Sequence, residues 1–265
     1  MPTKAYKSTP SCAKVLMLHG HGQSGHFFRC KTRFLQPKAK QIVLNALQQN
    51  PTHDPVDVVE FHYPSGKLPA NPDQSREESN FMWAWGYGNI DEDRIQGLEK
   101  SIQNIFQYME KYGPFIGVMG FSTGACIAAI ITSLLEKRKS LCNIEFNTNH
   151  PPFEFAVSFS GFTLANPFYD PIYSQITTPF LHVIGTLDTM IQQYQSSRLQ
   201  ECCKNSFTHY FWGAHYVPRS EEFLGALGRF SEEMLALKGD NKWQLEGDQE
   251  EAWEDCEDWE DSKVL

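Results

Sequence analysis

The chain has 265 residues, of which 41% are hydrophobic and 21% are charged. This composition fits one large domain with a sizeable core, or at most two small ones, and excludes collagen-like and low-complexity chains. No apolar run approaches the ~18 residues of a transmembrane helix, and the start lacks the apolar core of a signal peptide. Ten of the 32 acidic residues lie in 246–265, which carries the whole net charge of −9. The balanced remainder shows no basic footprint for nucleic acid.

Charge and composition divide the chain into three parts. We expect a disordered arm at 1–13, a folded domain at 14–238 and an acidic, disordered tail at 239–265. The tail is either a solvated segment that aids solubility or a contact for a basic protein partner, with its three tryptophans as anchors. The seven cysteines are scattered without a CxxC pair. This pattern indicates reduced thiols and a cytoplasmic protein, with the nucleus as a second compartment.

Predicted strands and helices alternate along the folded domain. Short apolar runs typical of strands lie at 15–18, 56–61, 115–121, 155–159, 179–184 and 207–212. Apolar residues recur at helical spacing at 34–47, 95–109, 125–135, 192–203 and 223–234. This alternation predicts an α/β fold whose mostly parallel sheet is covered by helices on both faces. The functional groups of such a sheet are expected in the loops after the carboxyl ends of its strands.

A five-residue motif marks the turn after the strand predicted at 115–121. It fits the pattern G-x-S-x-G and reads Gly120-Phe121-Ser122-Thr123-Gly124. A nucleophile elbow holds its serine in strained backbone geometry, so its neighbours must be small for strand and helix to approach. The alternative is a strand–turn–helix with an incidental serine. The flanking strand and helix favour the first interpretation, with Ser122 as a nucleophile.

A nucleophilic serine needs a base, and the base needs an orienting acid. In the α/β-hydrolase order both follow the serine, with the acid first. Asp188 comes just after the strand predicted at 179–184, where the acid belongs. It could also cap the following helix, a role compatible with catalysis. The rival is Asp170, whose neighbour Pro171 indicates a turn instead.

Four histidines lie beyond the serine in the chain. His182 and His209 fall inside predicted strands, where a packed histidine is the ordinary expectation, and His150 precedes two prolines in a polar connection. His215 follows the last strand and lies in a loop after the acid. The ordered set therefore predicts His215 as the base that Asp188 orients.

A glycine-rich loop follows the first strand at 18–25 and reads Leu-His-Gly-His-Gly-Gln-Ser-Gly. It contains a literal G-x-G-x-x-G, but no acidic residue follows ~20 positions later, as a dinucleotide site requires. The other interpretation is an oxyanion loop, in which the backbone N–H of His21 joins that of Thr123. His19 and His21 also form an H-x-H pair, yet no third ligand lies at a suitable spacing, so we expect no metal site.

The combination of these motifs resembles a known family over roughly residues 12–236. The matching pieces are Leu18-His19-Gly20, Gly22-Gln23-Ser24-Gly25, Trp83-Ala84-Trp85, Gly113-Pro114-Phe115, Gly120-Phe121-Ser122-Thr123-Gly124, Ile184-Gly185-x-x-Asp188 and Gly213-Ala214-His215-x-Val217-Pro218. In this order they resemble the FSH family of serine hydrolases, fungal proteins related to the human ovarian-cancer-associated gene 2 protein. Thr123 stands where the family often has Gln, and Ala214 where Gly is more usual.

The resemblance implies an α/β-hydrolase fold and an esterase that needs no cofactor. The roles of its Ser-Asp-His triad fall on Ser122, Asp188 and His215. Larger hydrolases place an antiparallel hairpin before the first strand, and the few residues ahead of Val15 leave no room for one. We therefore expect a minimal sheet of about six strands.

Aromatic residues near the predicted site indicate the substrate class. Phe27 follows the glycine loop, and Trp83 and Trp85 lie in an insertion before the elbow. They predict an apolar acyl pocket, unless they cap the core. We expect a small-molecule ester with a medium to long acyl chain, a reaction with a place in lipid metabolism. The alternatives are an acyl thioesterase that releases acyl chains from a carrier, and a hydrolase-fold binding protein without activity.

Overall fold

A computed structural model describes residues 11–51, 53–78 and 81–236. Within them the strands are β1 (Cys12–Leu18), β2 (Val58–His62), β3 (Leu68–Pro69), β4 (Trp83–Ala84), β5 (Gly117–Phe121), β6 (Phe155–Phe159), β7 (Phe180–Gly185) and β8 (Ser206–Phe211). Six of these strands form one sheet in the order β2-β1-β5-β6-β7-β8, and all its pairs are parallel. β3 and β4 form a separate antiparallel pair.

Helices cover both faces of the sheet, as parallel strands require. They are α1 (Gly25–Lys31), α2 (Gln36–Gln49), α3 (Leu98–Tyr112), α4 (Thr123–Lys137), α5 (Asp170–Tyr173), α6 (Gln193–Glu201) and α7 (Glu221–Ser231). A 3₁₀ turn precedes α5 and a π-helical turn follows α7. Every residue from Gly124 to Leu135 of α4 is buried, because this helix lies against the centre of the sheet.

Side chains that alternate along the strands divide the core into two clusters, one on each face. Leu16 and Leu18 of β1 pack with α3, α4, α5 and α6, whereas Val15 and Met17 pack with α1, α2 and α7. β6 and β7 are buried along their whole length. This accounts for their continuous apolar runs.

The predicted sheet of six parallel strands is confirmed, and the boundaries differ by a few residues. β1 begins at Cys12 instead of residue 15, and the backbone of Ser11 accepts hydrogen bonds from Asp57 and Val58. Cys12 and Ala13 therefore belong to the strand, and Ser11 is bonded beside it, so residues 11–13 are not part of the disordered arm that we expected at 1–13. Residues 1–10 and the acidic tail at 239–265 lie outside the described residues.

The order of the strands creates a crevice at one place in the sheet. β1 lies between β2 and β5, so the chain leaves β1 toward one side and later returns on the other. The loops after β1 and β5 consequently diverge at the carboxyl edge, and such a switch point is where open α/β sheets bind ligands. The glycine loop and the G-x-S-x-G motif lie at this point.

Candidate active site

The Gly120–Gly124 motif forms a tight strand-to-helix turn with Ser122 at its apex. Ser122 has φ 56° and ψ −122°, a strained conformation for a residue with a side chain. Its N–H donates to the Phe159 carbonyl over 2.8 Å. A Cβ on Gly120 would lie 2.3 Å from the Gly124 carbonyl oxygen, and one on Gly124 would lie 2.3 Å from that of Leu18. Strand, turn and helix therefore meet so closely that only glycine fits at either position.

Asp188 and His215 come together at the ends of β7 and β8. The Nδ1 atom of His215 lies 2.8 Å from Oδ2 of Asp188. The other carboxylate oxygen, Oδ1, accepts the N–H groups of Met190 (3.0 Å) and Ile191 (2.9 Å). The carboxylate is thus held by the backbone on one side and orients the imidazole with the other. The capping role suggested from sequence coexists with this contact.

The acid is kept ionised although its side chain is buried. Burial alone would raise the pKa of the Asp188 carboxyl, but the hydrogen bonds from Ile191 and His215 outweigh it and the pKa lies below its usual value. The nearby hydroxyl of Ser160 acts in the same direction. Ser160 is buried just after β6, with φ 47°. Sequence reasoning missed it, although a serine directly after a buried strand was a usable signal.

Backbone hydrogen bonds join the loop of the acid to the loop of the base. The N–H of Thr186 donates to the Phe211 carbonyl (3.0 Å), and that of Leu187 donates to the Gly213 carbonyl (2.9 Å). Gly185 allows this contact, because a Cβ there would lie 2.6 Å from the Gly213 oxygen. The two loops therefore form one unit that sets the position of His215.

The imidazole of His215 lies beside the nucleophile elbow. Its ring packs on Phe121, the residue before Ser122, with the ring centroids 4.7 Å apart. Between the described side chains of Ser122 and His215 no hydrogen bond is formed in this conformation. Nucleophile–base hydrogen bonds are often long without substrate and shorten in the reactive complex.

The glycine loop passes directly over the elbow. A Cβ on Gly20 would lie 3.4 Å from Cβ of Ser122 and 3.0 Å from the Phe121 ring. His21 follows, and among the described residues neither its N–H nor that of Thr123 has a hydrogen-bond partner. The two predicted oxyanion donors are therefore free and lie on segments that flank the serine.

The segment between β2 and α3 holds the glycine loop from outside. We call residues 63–78 and 81–86, which include β3 and β4, the hairpin insertion. Trp83 exchanges two backbone hydrogen bonds with the loop: its carbonyl accepts from Gly22 (3.0 Å) and its N–H donates to Gln23 (2.9 Å). Ser65 Oγ accepts the N–H of Gly25 over 3.0 Å. Trp83 is thus half-buried beside the loop, and part of its side chain is accessible to a substrate.

Trp85 has a different role from the one expected of it. It is buried in the core, and its indole N–H donates to the His19 carbonyl over 2.8 Å. This is the core-capping alternative raised from sequence. Phe27, on the exposed side of α1, is 44% exposed and remains available to a ligand.

The other candidate residues do not join the site. Asp170 begins α5, where its Oδ1 lies 4.0 Å from Nη2 of Arg198. His150 is buried and its Nε2 accepts the N–H of Phe115 over 2.7 Å. His182 and His209 lie in β7 and β8, as predicted.

The described residues offer no ligand set for a metal: no group of three or more His, Cys, Asp or Glu side chains among them could hold one. His19 is fully buried and both its ring nitrogens contact the backbone, Nδ1 that of Gly20 and Nε2 that of Gly66. Burial lowers its pKa to about 4. Among the described helices, none combines the length and the apolar character that a membrane crossing needs.

Comparison with known sequences agrees with the motifs. Residues 8–227 match the family described as Serine hydrolase (FSH1). Dihydrofolate reductase of Schizosaccharomyces pombe is 31% identical over 82% of this chain and 46% of its own length. Family of serine hydrolases 3 of Saccharomyces cerevisiae is 27% identical over 85% of this chain and 86% of its own length. The chain thus spans about half the length of the first relative and most of the second.

Comparison with solved structures concerns the fold. Acyl-protein thioesterase 2 of Zea mays matches with a TM-score of 0.55 at 19% identity, over 85% of this chain and 96% of that one. At this identity the likeness shows the shared architecture alone. The α/β-hydrolase fold predicted from the sequence is confirmed.

Proposed function

The chain belongs to the FSH1 family of serine hydrolases, and from this premise we propose that it cleaves carboxylic esters with medium to long apolar acyl chains. The observation that carries the proposal is the contact of His215 with Asp188, 2.8 Å, on loops that place the imidazole against the elbow of Ser122. Ser122 is the nucleophile, His215 the general base and Asp188 the acid that orients it.

In the proposed reaction, His215 takes the proton of Ser122 as the serine oxygen attacks the ester carbonyl carbon. The N–H groups of His21 and Thr123 stabilise the negative oxygen of the tetrahedral intermediate. The intermediate collapses to an acyl-enzyme, and the alcohol leaves with the proton from His215. Water then attacks the acyl-enzyme, losing a proton to His215, and the acid is released as the proton returns to Ser122.

The surface around the acid and the base supports an apolar substrate. Residues 186–197 contain Asp188 as their single charged residue, and 206–218 contain none. The exposed side chains on these segments include Met190 (71% exposed) and Trp212 (81% exposed). These exposed apolar side chains favour an acyl chain as the substrate group that contacts this surface. Phe27 and Trp83 extend this apolar surface. Trp85 is buried and does not contribute to it.

A fluorescent fluorophosphonate, which phosphonylates activated serines, tests the mechanism. We expect wild type to be labelled, and Ser122→Ala and His215→Ala to remain unlabelled. Ser174→Ala, at an exposed serine at the end of α5, is the matched control and should label normally. Failure of folded wild type to react would contradict the mechanism and favour an inactive binding protein.

Nitrophenyl esters of increasing acyl length, measured beside the matching thioesters, test the substrate class. We expect kcat/KM to rise from acetate toward medium and long chains, and esters to be preferred. A higher kcat/KM on thioesters would replace the ester proposal with a thioesterase. A preference for acetate would contradict the predicted acyl length.

A further inference from the structure

His19 makes three hydrogen bonds, two to the hairpin insertion and one within the glycine loop. The N–H of Gly66 donates to its Nε2 over 2.9 Å, and the indole N–H of Trp85 donates to its carbonyl over 2.8 Å. Its Nδ1 lies 2.8 Å from the Gly20 carbonyl oxygen. His19 is fully buried, and its ring packs on that of Trp85 with the centroids 4.6 Å apart and the planes tilted by 30°. Each polar atom of its side chain thus has one fixed partner.

These contacts determine the tautomer of His19. Because Nε2 accepts a hydrogen bond from Gly66, it carries no proton in the neutral ring, and the proton resides on Nδ1. Nδ1–H therefore donates to the Gly20 carbonyl. One nitrogen holds the hairpin insertion, and the other holds the glycine loop.

The carbonyl of Gly20 belongs to the same peptide unit as the N–H of His21. In a planar trans peptide the C=O and the N–H point in opposite directions. Fixing the Gly20 oxygen on one side therefore fixes the direction of the His21 N–H on the other. That N–H is the donor assigned to the oxyanion.

The N–H of Gln23 also donates to the Gly20 oxygen, over 3.3 Å, but His19 makes the shorter contact, 2.8 Å. We propose that His19 is a positioning residue of the oxyanion hole, with the hairpin insertion as its support through Gly66 and Trp85. The inference rests on the proposed function and goes one step beyond it. In it, the buried side chain of His19, which does not contact the substrate, sets the direction of the His21 N–H. Thr123, whose N–H is fixed by helix α4, needs no such support.

Three substitutions at His19 separate its two contacts. His19→Asn keeps a donor near the position of Nδ1, His19→Gln keeps an acceptor near that of Nε2, and His19→Leu removes both. We expect His19→Leu to lower kcat by about 100-fold, the effect of an ångström-scale misplacement, with KM changed less than threefold. His19→Asn should restore more of kcat than His19→Gln, because it keeps the bond to Gly20.

The affinity for an alkyl boronic acid distinguishes a positioning role from a loss of stability, because a variant that is merely less stable would still bind the boronate with wild-type affinity when folded. The boronate forms a tetrahedral adduct on Ser122 that mimics the intermediate. Its affinity should fall in parallel with kcat across the series. His150→Leu is the matched control, since His150 is also buried and its Nε2 also accepts a backbone N–H, that of Phe115. It should lower the melting temperature and leave kcat and boronate affinity unchanged.

Two results would overturn the inference while the proposed function stands: His19→Leu with wild-type kcat and boronate affinity, or a His150→Leu protein that loses both as strongly. If His19→Leu does not fold, His19→Asn and Trp85→Phe carry the same test, and unchanged kcat in both would equally contradict it. Failure of the proposed function has a different signature, because wild type itself would then neither label nor turn over esters.

Discussion

Asp188 uses its two carboxylate oxygens for different partners: Oδ2 lies 2.8 Å from Nδ1 of His215, whereas Oδ1 accepts two backbone N–H groups. The backbone thus fixes the rotation of the carboxylate, and the carboxylate fixes the imidazole. In this arrangement the loop that follows β7 orients a side chain that belongs to the loop after β8.

Asp188→Asn should lower kcat by about 10⁴-fold, the cost of the equivalent change in a serine protease. The backbone donors at Met190 and Ile191 require an oxygen at the Oδ1 position. The amide NH₂ would then face Nδ1 of His215 and select the wrong tautomer of the imidazole. Steady-state kinetics on an ester substrate would measure the loss.

Asp170→Asn is the control for that experiment, because Asp170 was the rival acid in the sequence. Its nearest ionic contact is Arg198, at 4.0 Å and exposed. We expect wild-type kcat from this variant. Equal losses in the two variants would refute the assignment of Asp188.

Gly124→Ala should destabilise the protein by several kcal/mol or prevent folding. The new Cβ would lie 2.3 Å from the Leu18 carbonyl oxygen and 2.4 Å from that of His19, so helix α4 would have to move away from β1. Overpacking of this kind typically costs about 1–3 kcal/mol and more against a rigid backbone. Chemical denaturation would measure the change.

Gly228→Ala provides the opposite outcome in the same measurement. Gly228 lies within α7 (Glu221–Ser231), and a Cβ there would meet nothing within 4 Å. Alanine favours helix over glycine by about 1 kcal/mol, so stability should rise by about that amount. A loss of stability at Gly228, or none at Gly124, would contradict the packing described for these helices.

The sequence predicted the centre of the sheet well because β5, β6 and β7 are buried along their whole length and are therefore mostly apolar. Three short elements, β3, β4 and α1, could not be predicted from local patterns, because they depend on contacts between distant segments. Strands β3 and β4 have two residues each, too few to show a period. Helix α1 has seven residues, and its one local signal was the cap that Ser24 supplies to Phe27.

The two tryptophans of the hairpin insertion show the same limit. Trp83 and Trp85 are two positions apart, yet one is half-buried at the surface and the other is in the core. What distinguishes them is the His19 carbonyl, which accepts the indole N–H of Trp85 from a segment more than sixty positions away. The Ser-Asp-His order, by contrast, could be predicted from the sequence because each residue lies in the loop after its own strand.

His182→Leu should weaken the acid sensitivity of folding. His182 is fully buried in β7, stacked on Phe180, and its burial lowers its pKa to about 3. Since the unfolded chain binds a proton near pH 6.5 and the folded chain does not, stability is fully present above that pH and falls as pH decreases toward 3. Between pH 7 and pH 5 this group alone lowers the free energy of unfolding by about 2 kcal/mol.

Urea denaturation at pH 7 and pH 5 checks this expectation. The difference between the two pH values should be smaller in His182→Leu than in wild type by about that amount. An identical pH dependence in wild type and His182→Leu would contradict this expectation, because it would mean that His182 binds its proton equally well in the folded and unfolded chains.

Trp212→Ala should reduce kcat/KM on long-chain esters about tenfold and leave acetate esters unaffected. The side chain is 81% exposed beside the loop of His215, and burial of apolar area against an acyl chain contributes about 25 cal/mol per Å². Tyr112→Ala, at an exposed aromatic at the end of α3, is the control and should not change the chain-length profile. An equal loss on acetate would assign Trp212 to the fold instead of the substrate.

The backbone hydrogen bonds from Thr186 and Leu187 to the end of β8 and its loop hold His215 in place. The base therefore depends on a different part of the sheet from the nucleophile, and the two parts should differ in their stability against local unfolding. The elbow follows β5, which lies between β1 and β6 at the centre of the sheet, whereas His215 follows β8, an edge strand. Local opening of β8 would release His215 while Ser122 stayed in place, so hydrogen exchange should protect the elbow amides for longer than those of residues 206–216. The protein would then lose its base before it loses its nucleophile, and mild denaturant would silence turnover in a chain that is still largely folded.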